Sequence, residues 1–319
     1  MRVRSKAIMA STAILAAIAV SGCSQLGNLK ARKAFKDANV SYQAQRYEEA
    51  AERYQQVIAT DPNIAEDPNL VHTYFFLGNS YDNQYKPARK GEKENDDLLT
   101  KAIENYKIAA EKETDPKMKK LSLDYLVAAY GPDKLDDPTA AEPIVQRMIQ
   151  LDPTDSTNYF ALAGIYENAG NIEEAEAQLL KAREARPKEP AVYQQLAGFY
   201  QRQGEFEKLI AAVQQRADIE PNNPEAHYAV ATYYWDEAYR NTRLTEAQKR
   251  EYVKSGLTAV DKAIALNADY VEALTYRGLL LRVEAAMEKD AARQKQLLAE
   301  AVQLQEKAVG LKKKQASGV

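Results

Sequence analysis

Side chains able to do covalent or metal chemistry are scarce in this sequence. Its 319 residues include one cysteine, Cys23, and two histidines, His72 and His227. A single thiol excludes a disulfide framework within the chain, and two histidines leave little for a metal site. The sequence contains no phosphate-binding loop, dinucleotide-binding glycine motif, zinc-protease motif or nucleophile elbow. We therefore expect a non-enzymatic protein, with no catalytic residues, no metal and no other cofactor.

The position of Cys23 suggests what its thiol does. Three cationic residues lie within the first six, an apolar stretch of 14 residues covers 7–20, and Ser21 and Gly22 precede the cysteine. This order is typical of a secretory signal peptide. A helix of that length rises only about 21 Å, which is short of the ~30 Å hydrocarbon core of a bilayer. A permanent transmembrane anchor is therefore the weaker interpretation.

Residues 19–23, Ala-Val-Ser-Gly-Cys, resemble the lipobox of bacterial lipoproteins. The resemblance implies that residues 1–22 are removed and that Cys23 carries a diacylglycerol thioether, with further acylation (palmitate or a similar chain) of its new amino group. Two or three acyl chains anchor a protein stably where one chain does not. The alternative is an ordinary signal peptide followed by an incidental cysteine.

The residues after the cysteine carry a sorting expectation. Residues 23–30 are expected to form a lipidated tether. Ser24 and Gln25 stand where the usual inner-membrane retention signal has Asp. The resemblance therefore implies a cell-envelope protein of the outer membrane, lipid-anchored and facing the periplasm.

The bulk composition points to a folded, water-soluble body. Hydrophobic residues make up 45% of the chain and charged residues 28%, a balance that excludes a disordered or membrane-embedded chain. The 43 Lys and Arg nearly match the 46 Asp and Glu, for a net charge of −3. Nucleic-acid-binding proteins usually carry a clustered basic excess, so we expect no nucleic-acid partner.

A period of 34 residues organises the rest of the chain. Five residues are each followed by the same residue type 34 positions later: Tyr159, Leu162, Ala163, Tyr166 and Gly170 by Tyr193, Leu196, Ala197, Tyr200 and Gly204. Another 34 positions on, the first four places hold His227, Val230, Ala231 and Tyr234. A fixed period of this size indicates stacked supersecondary units. The apolar spacing within each set predicts a helix. Gly170 and Gly204 are expected in the turn to a second helix, which Pro187 or Pro221 then ends.

This pattern resembles the tetratricopeptide repeat. The resemblance implies an all-α, right-handed superhelical solenoid of about seven helix-turn-helix units. The first copy is degenerate, with Gln45 in place of the turn glycine. Once insertions are allowed, the copies lie near 31–64, 71–116, 120–155, 156–189, 190–223, 224–270 and 271–315, which leaves 316–319 as a frayed tail.

The insertions and the last copy carry expectations of their own. Residues 84–98 are charged and contain Pro and Gly, so we expect a solvated loop. Thr245 and Gln248 form a capping-box pattern, which predicts an early start for the second helix of its copy. The uninterrupted run over 283–300 predicts similarly extended helices. No solvating helix follows the last copy, so its charged second helix is expected to cap the array. The alternative is that this end is a dimer or partner surface.

Candidate binding residues come from the concave face, which the first helices line in proteins of this kind. The recurring tyrosines, such as Tyr166, are expected to be architectural. Aromatic residues at equivalent outward positions are expected to be partner anchors, with amide side chains between them bonding to a peptide. The alternative is that the insertions or the superhelix cover them. The mapped residues are Arg32, Phe35, Asn39, Tyr42, His72, Phe75, Asn79, Phe160, Gln194, Gln201, Tyr228 and Trp235.

The expected function is a scaffold or adaptor that binds protein or peptide partners of the cell envelope, in envelope assembly or secretion. The alternative is a glycan-binding factor of the cell wall or of polysaccharide export. In that case Tyr228 and Trp235 would stack on sugar rings, and Gln194, Gln201 and Asn79 would bond to hydroxyls. A peptide groove predicts binding losses along several copies, whereas a glycan site predicts losses concentrated around Trp235.

Overall fold

The computed structural model describes residues 27–61 and 63–317. Within these residues the chain is all-α, with fourteen α-helices, two short 3₁₀ turns at Ile64–Glu66 and Pro87–Arg89, and no strand. The signal-peptide and lipobox predictions, with Cys23, lie outside the described residues. None of the helices that the structure describes is long and apolar enough to cross a bilayer.

The helices form seven consecutive antiparallel pairs in two compact units. Unit 1 ends at Pro153 and unit 2 begins at Thr154. Unit 1 contains α1 (27–43), α2 (Tyr47–Thr60), α3 (His72–Asp82), α4 (Lys93–Lys112), α5 (Pro116–Ala129) and α6 (Pro138–Leu151). Unit 2 contains α7 (Ser156–Asn168), α8 (Ile172–Ala185), α9 (Pro190–Gln203), α10 (Phe206–Ile219), α11 (Pro224–Arg240), α12 (Glu246–Leu266), α13 (Val271–Met287) and α14 (Ala291–Ser317). The predicted all-α architecture of paired helices is confirmed.

The helix bounds differ from the predicted copy bounds at three places. The expected tether is already helical from residue 27, where the described part of α1 begins. Helix α5 begins at Pro116, because the Asp115 carboxylate accepts a hydrogen bond of 2.8 Å from the amide of Lys117. Helix α14 continues to Ser317, beyond the expected start of the tail.

Local sequence explains where the helices begin. Four of them have proline in their first turn, at Pro116, Pro138, Pro190 and Pro224, where the missing amide hydrogen costs nothing. The Asn223 side chain accepts from the amide of Glu225 ahead of α11. Each such cap satisfies one of the amide groups that a helix N-terminus leaves without an intrahelical partner.

The predicted capping box is confirmed. The Thr245 hydroxyl accepts from the Gln248 amide at 3.3 Å, and the Gln248 side chain accepts from the Thr245 amide at 3.0 Å. The cap starts α12 at Glu246 and gives it 21 residues. The run over 283–300 is also helical on both sides of its turn, with α13 ending at Met287 and α14 beginning at Ala291.

The segment 84–98 is more ordered than a solvated loop. Helix α4 already begins at Lys93, and the Tyr85 ring is only 6% exposed. The buried Asn95 side chain bonds to both the amide and the carbonyl of Lys86, at 2.9 and 3.1 Å. A buried ring and a bidentate amide therefore fasten this insertion to its own helix pair.

Two positions of the second helix recur in the core of the pairs. The first is small, at Ala50, Ala102, Ala141, Ala175 and Ala301, each at most 3% exposed, which lets the helices approach closely. The second lies four residues later and is large and apolar in the first six pairs: Tyr54, Tyr106, Val145, Leu179, Val213 and Val260, each at most 5% exposed. In the last pair this second position holds Gln305, which is exposed.

Several turns between paired helices contain a residue in the left-handed conformation. Gly170 and Gly204 have φ of 79° and 72°, as expected from their recurrence. In the first pair Gln45 takes the same role with φ of 57°. The geometry of the turn is therefore retained even where the glycine is not.

We predict that Gly204→Ala lowers the free energy of unfolding by about 1–2 kcal/mol, because an L side chain is strained at this φ. A Cβ on Gly204 would meet no atom within 4 Å, so the loss comes from the backbone alone. The matched control is Gly164→Ala, inside α7 and equally open, which should gain about 0.5–1 kcal/mol. Urea unfolding followed by circular dichroism measures both, and equal losses would contradict the assignment to φ.

Candidate functional site

In unit 1 the predicted groove residues are part of the packing between helices. The Phe35 ring lies 6.0 Å from Tyr54 and 6.3 Å from Phe76, between centroids. The Tyr42 ring lies 5.2 Å from Phe76 in an edge-to-face arrangement. Edge and tilted contacts of this kind stabilise aromatic pairs beyond the area they bury. These rings hold α1, α2 and α3 together.

Phe75 and Asn79 are buried, so the expectation that they face a groove is wrong. Phe75 is 4% exposed, and its ring packs against Phe76, Tyr106 and Tyr125 at 5.4, 5.9 and 5.4 Å. Asn79 is 3% exposed. The physical reason is that α3 is covered on several sides, by α2, by its own partner α4 and by α5 of the following pair.

The Asn79 amide makes three hydrogen bonds to other side chains of unit 1. Its oxygen accepts from the Tyr42 hydroxyl at 2.6 Å and from the Asn83 amide at 2.7 Å. Its nitrogen donates to the Tyr106 hydroxyl at 3.3 Å, and that hydroxyl donates to Asp82 at 3.2 Å. Burial is the main cause that raises the pKa of Tyr42 to about 12, so its hydroxyl remains a donor at neutral pH.

The other three predicted residues of unit 1 also have partners within the chain. Asn39 accepts from the Tyr54 hydroxyl at 2.6 Å. Arg32, which is half exposed, donates to Asn28 at 2.7 Å. The His72 Nδ1 atom lies 2.6 Å from a carboxylate oxygen of Glu113, a residue only 1% exposed. The predicted set of unit 1 is therefore largely structural.

We predict that Asn79→Ala lowers the free energy of unfolding by about 1–3 kcal/mol, because the partly buried Tyr42 hydroxyl loses its acceptor. Gln201→Ala, at an exposed position of α9, should change it by less than about 0.5 kcal/mol. Thermal and urea unfolding measure both. A stable Asn79→Ala protein with altered partner binding would instead support the original groove assignment.

In unit 2 the predicted polar residues are open to solvent. Gln194 and Gln201 on α9 are exposed, and Phe160 on α7 is half-buried. Gln201 receives only a long contact of 3.5 Å from the Tyr233 hydroxyl. Oriented with its oxygen toward Arg216, the Gln194 amide accepts from both terminal guanidinium nitrogens at 3.0 and 3.1 Å.

The two predicted aromatic residues of α11 belong to a larger cluster, which we call the aromatic strip: Tyr228, Trp235, Tyr239 and Tyr276. The Trp235 ring stacks on Tyr239 at 5.2 Å with 9° between planes. Tyr276 of α13 lies edge-on to Trp235 and Tyr228, at 5.3 Å from each. Tyr239 is 63% exposed. Contacts with the Tyr276 ring thus position the strip, and its Tyr239 ring is open to solvent.

The sequence reading missed Tyr239 and Tyr276. Tyr239 lies four residues after Trp235 and eleven after Tyr228, a helical spacing that places all three on one face and could have identified it. Tyr276 comes from the next pair and joins the strip only through the packing of α11 against α13. No spacing in the sequence pairs it with Trp235.

The strip is an uncharged surface at physiological pH. Burial, with a smaller contribution from Tyr276 and Tyr270, raises the pKa of Tyr228 to about 12. The nearest charges on α11 neutralise each other, because Asp236 and Arg240 form an ion pair at 2.6 Å. Such a surface favours apolar and aromatic ligand groups over ions.

Two members of the predicted glycan set are already engaged by other side chains. Asn79 is buried in unit 1 and bonded to Tyr42. Tyr228 has Tyr270 and Tyr276 at 5.3 Å each, so other rings already contact it. Of the sugar-stacking residues, only Trp235 adjoins an open ring, that of Tyr239.

Known proteins are similar to this chain in part. The family model described as tetratricopeptide repeat matches residues 134–196. No curated protein matches the chain. Among solved structures, the C-terminal part of a TPR repeat-containing protein from Cytophaga hutchinsonii is 18% identical with a TM-score of 0.55, over 87% of this chain and 98% of that one.

Two further structures are more distant in shape. A tetratricopeptide repeat protein from Parabacteroides merdae is 13% identical with a TM-score of 0.47, over 85% of this chain and 98% of that one. YrrB, described as a TPR protein with an unusual peptide-binding site, is 20% identical with a TM-score of 0.41, over 61% of this chain and 89% of that one.

The paired helices, the matched segment and the Cytophaga structure agree on one class. The chain is a repeat protein with the tetratricopeptide-repeat fold. Proteins of this class are typically non-catalytic scaffolds whose extended surfaces bind protein or peptide partners.

Proposed function

We propose that this protein is a non-enzymatic scaffold of the bacterial cell envelope, anchored to the outer membrane through acyl chains on Cys23 and facing the periplasm. It binds protein partners through the aromatic strip of unit 2, in envelope assembly or secretion. The observation that carries the binding part is the exposed Tyr239 ring stacked on Trp235. The lipobox resemblance of residues 19–23 supports the anchoring part.

The strip has the properties of a protein-binding anchor. Aromatic residues dominate the energy of many interfaces because they bury large areas with few rotatable bonds. Trp235 is the single tryptophan of the chain, and it is positioned by contacts with Tyr239 and Tyr276 before any partner arrives. A surface whose side chains are already ordered loses less conformational entropy when it binds.

Anchoring would strengthen this binding without new contacts. Acyl chains confine the protein to one surface, so the partner meets a high effective concentration of the strip. Weak contacts at a few aromatic residues would then suffice for recruitment.

We predict that a photoreactive residue in place of Tyr239, in the full-length lipidated protein in its native membrane, forms discrete protein adducts. The control is the same residue in place of Gln215, which is exposed on α10. With the partner identified by mass spectrometry, Trp235→Ala should weaken binding about thirtyfold or more, since loss of a central aromatic anchor typically costs at least ~2 kcal/mol. Glycan adducts at Tyr239, or equal labelling at Gln215, would overturn protein binding by the strip.

We predict that Cys23→Ser abolishes incorporation of labelled palmitate and releases the protein from the membrane fraction, because the thiol is the attachment point. The intact mass of the mature wild-type protein should correspond to a chain starting at Cys23 plus acyl chains. A mature chain that starts elsewhere and carries no lipid would identify an ordinary signal peptide instead. Ser21→Thr, which retains the cysteine, is the matched control.

A further inference from the structure

Among the residues that the structure describes, no helix packs on the outer face of the last helix pair, α13 and α14. In the preceding pair, Val260 of α12 is fully buried, and Leu280 of α13 lies against Gly256, 2.9 Å from where a Cβ would be. The equivalent surface on α13 and α14 is a groove of about 450 Å³, which we call the terminal groove, lined by Val271, Tyr276, Leu279, Arg282, Val309 and Lys312. The preceding pair therefore shows that an α-helix fits a surface of this kind.

Helix α14 presents a second apolar stripe beside the groove. Its inner stripe, with Leu297, Ala301 and Ala308, is at most 4% exposed and packs on α13. The neighbouring stripe contains Leu298, Val302 and Val309, which are 41%, 44% and 47% exposed. These three residues are spaced by four and then seven positions, so they lie on one face of α14 and can pack against a partner helix. A helix that only capped the array would be polar on this face.

The charges around the groove are mostly positive. Arg282 and Lys312 line it, and Lys295 and Lys313 extend along the exposed stripe of α14. Arg282 donates to the neutral Gln305 at 2.9 Å, which leaves its charge uncompensated by that contact. Among the described residues, Lys312 and Lys313 form no ion pair. On the same rim, Glu272 and Glu306 supply fewer negative charges. Complementarity therefore calls for negative charge on the occupant.

A second copy of this chain fits the surface poorly. An antiparallel pairing of two α14 helices that sets Leu298 against Val309 of the partner subunit also sets Lys295 against Lys312 of the partner subunit. A parallel pairing sets Lys312 against its own equivalent. Either arrangement brings like charges together at the seam, which disfavours association.

We propose that the terminal groove binds an amphipathic helix of a partner protein, with an apolar face on Tyr276, Leu279 and the exposed stripe of α14 and an acidic flank along Lys312 and Lys313. This site is separate from the open ring of Tyr239, although Tyr276 borders both surfaces. The bound helix takes the place that the first helix of an additional pair would occupy.

The test places a photoreactive residue at Val302 or Val309 of the full-length protein in its native membrane, with Gln303 as the control. Gln303 is exposed on α14 about a third of a turn from the stripe. We expect adducts at both stripe positions, absent at Gln303, whose crosslinked peptides have apolar residues at helical spacing and net negative charge. Adducts with this chain itself, with lipid, or with a basic or non-helical segment would overturn the proposal, as would labelling no greater than at Gln303.

The second measurement uses the crosslinked segment as a synthetic peptide. Its dissociation constant for the full chain should rise at least tenfold with Lys312→Glu combined with Lys313→Glu, and similarly with Val309→Lys. It should also rise with added salt, because exposed charge pairs are screened. Gln303→Ala, which is on the same helix but off the stripe, should leave it unchanged. Unaltered melting by circular dichroism confirms that each variant is folded, and unchanged affinity in folded charge-reversal variants would contradict the proposal.

Discussion

Within each of the two units, neighbouring helix pairs pack on one another: α3 contacts α2 of the pair before it, and α13 contacts α12. The small position of the second helix makes this possible. At Gly78, for example, an added Cβ would lie 3.0 Å from the carbonyl oxygen of Ala102, so the two helices meet backbone to backbone. Close approach brings the large residue four positions later, such as Tyr106, into full burial. The stability of such an array is approximately the sum of the stability of each helix pair and of the interfaces between neighbouring pairs.

The two units use their aromatic residues differently. In unit 1 the tyrosine hydroxyls need acceptors because their rings are buried, and Asn39, Asn79 and Asp82 provide them. Asn79 is also buried, so its amide is not accessible to a partner. In unit 2 the aromatic rings of α11 lie nearer the surface, and the Tyr239 ring is not buried in the core. This contrast supports the proposal that unit 2 carries the binding surface, because the Tyr239 ring is 63% exposed there.

The last helix pair exposes a position of its second helix that is buried in the six earlier pairs. Gln305 replaces the aliphatic residue that a following helix would cover, and it bonds to Arg282 in place of that helix. The exchange makes part of the last face polar. Leu298, Val302 and Val309 remain apolar beside it. The last pair is thus neither a fully polar cap nor a bare repeat face, and this mixture is the basis for assigning it a partner.

The sequence by itself determined the repeat and its local signals. These signals are the 34-residue spacing, the glycine turns at Gly170 and Gly204 and the capping box at Thr245. They depend on backbone geometry and on residues close together in the sequence, so the sequence alone is enough to recognise them. The tertiary structure alone decided which outward positions are open. Phe75 occupies the place equivalent to Phe160, yet it is buried because α5 packs on it, and Tyr276 joins Trp235 only across a helix interface. Exposure depends on which helix packs on a residue from another pair, and no repeat pattern records that.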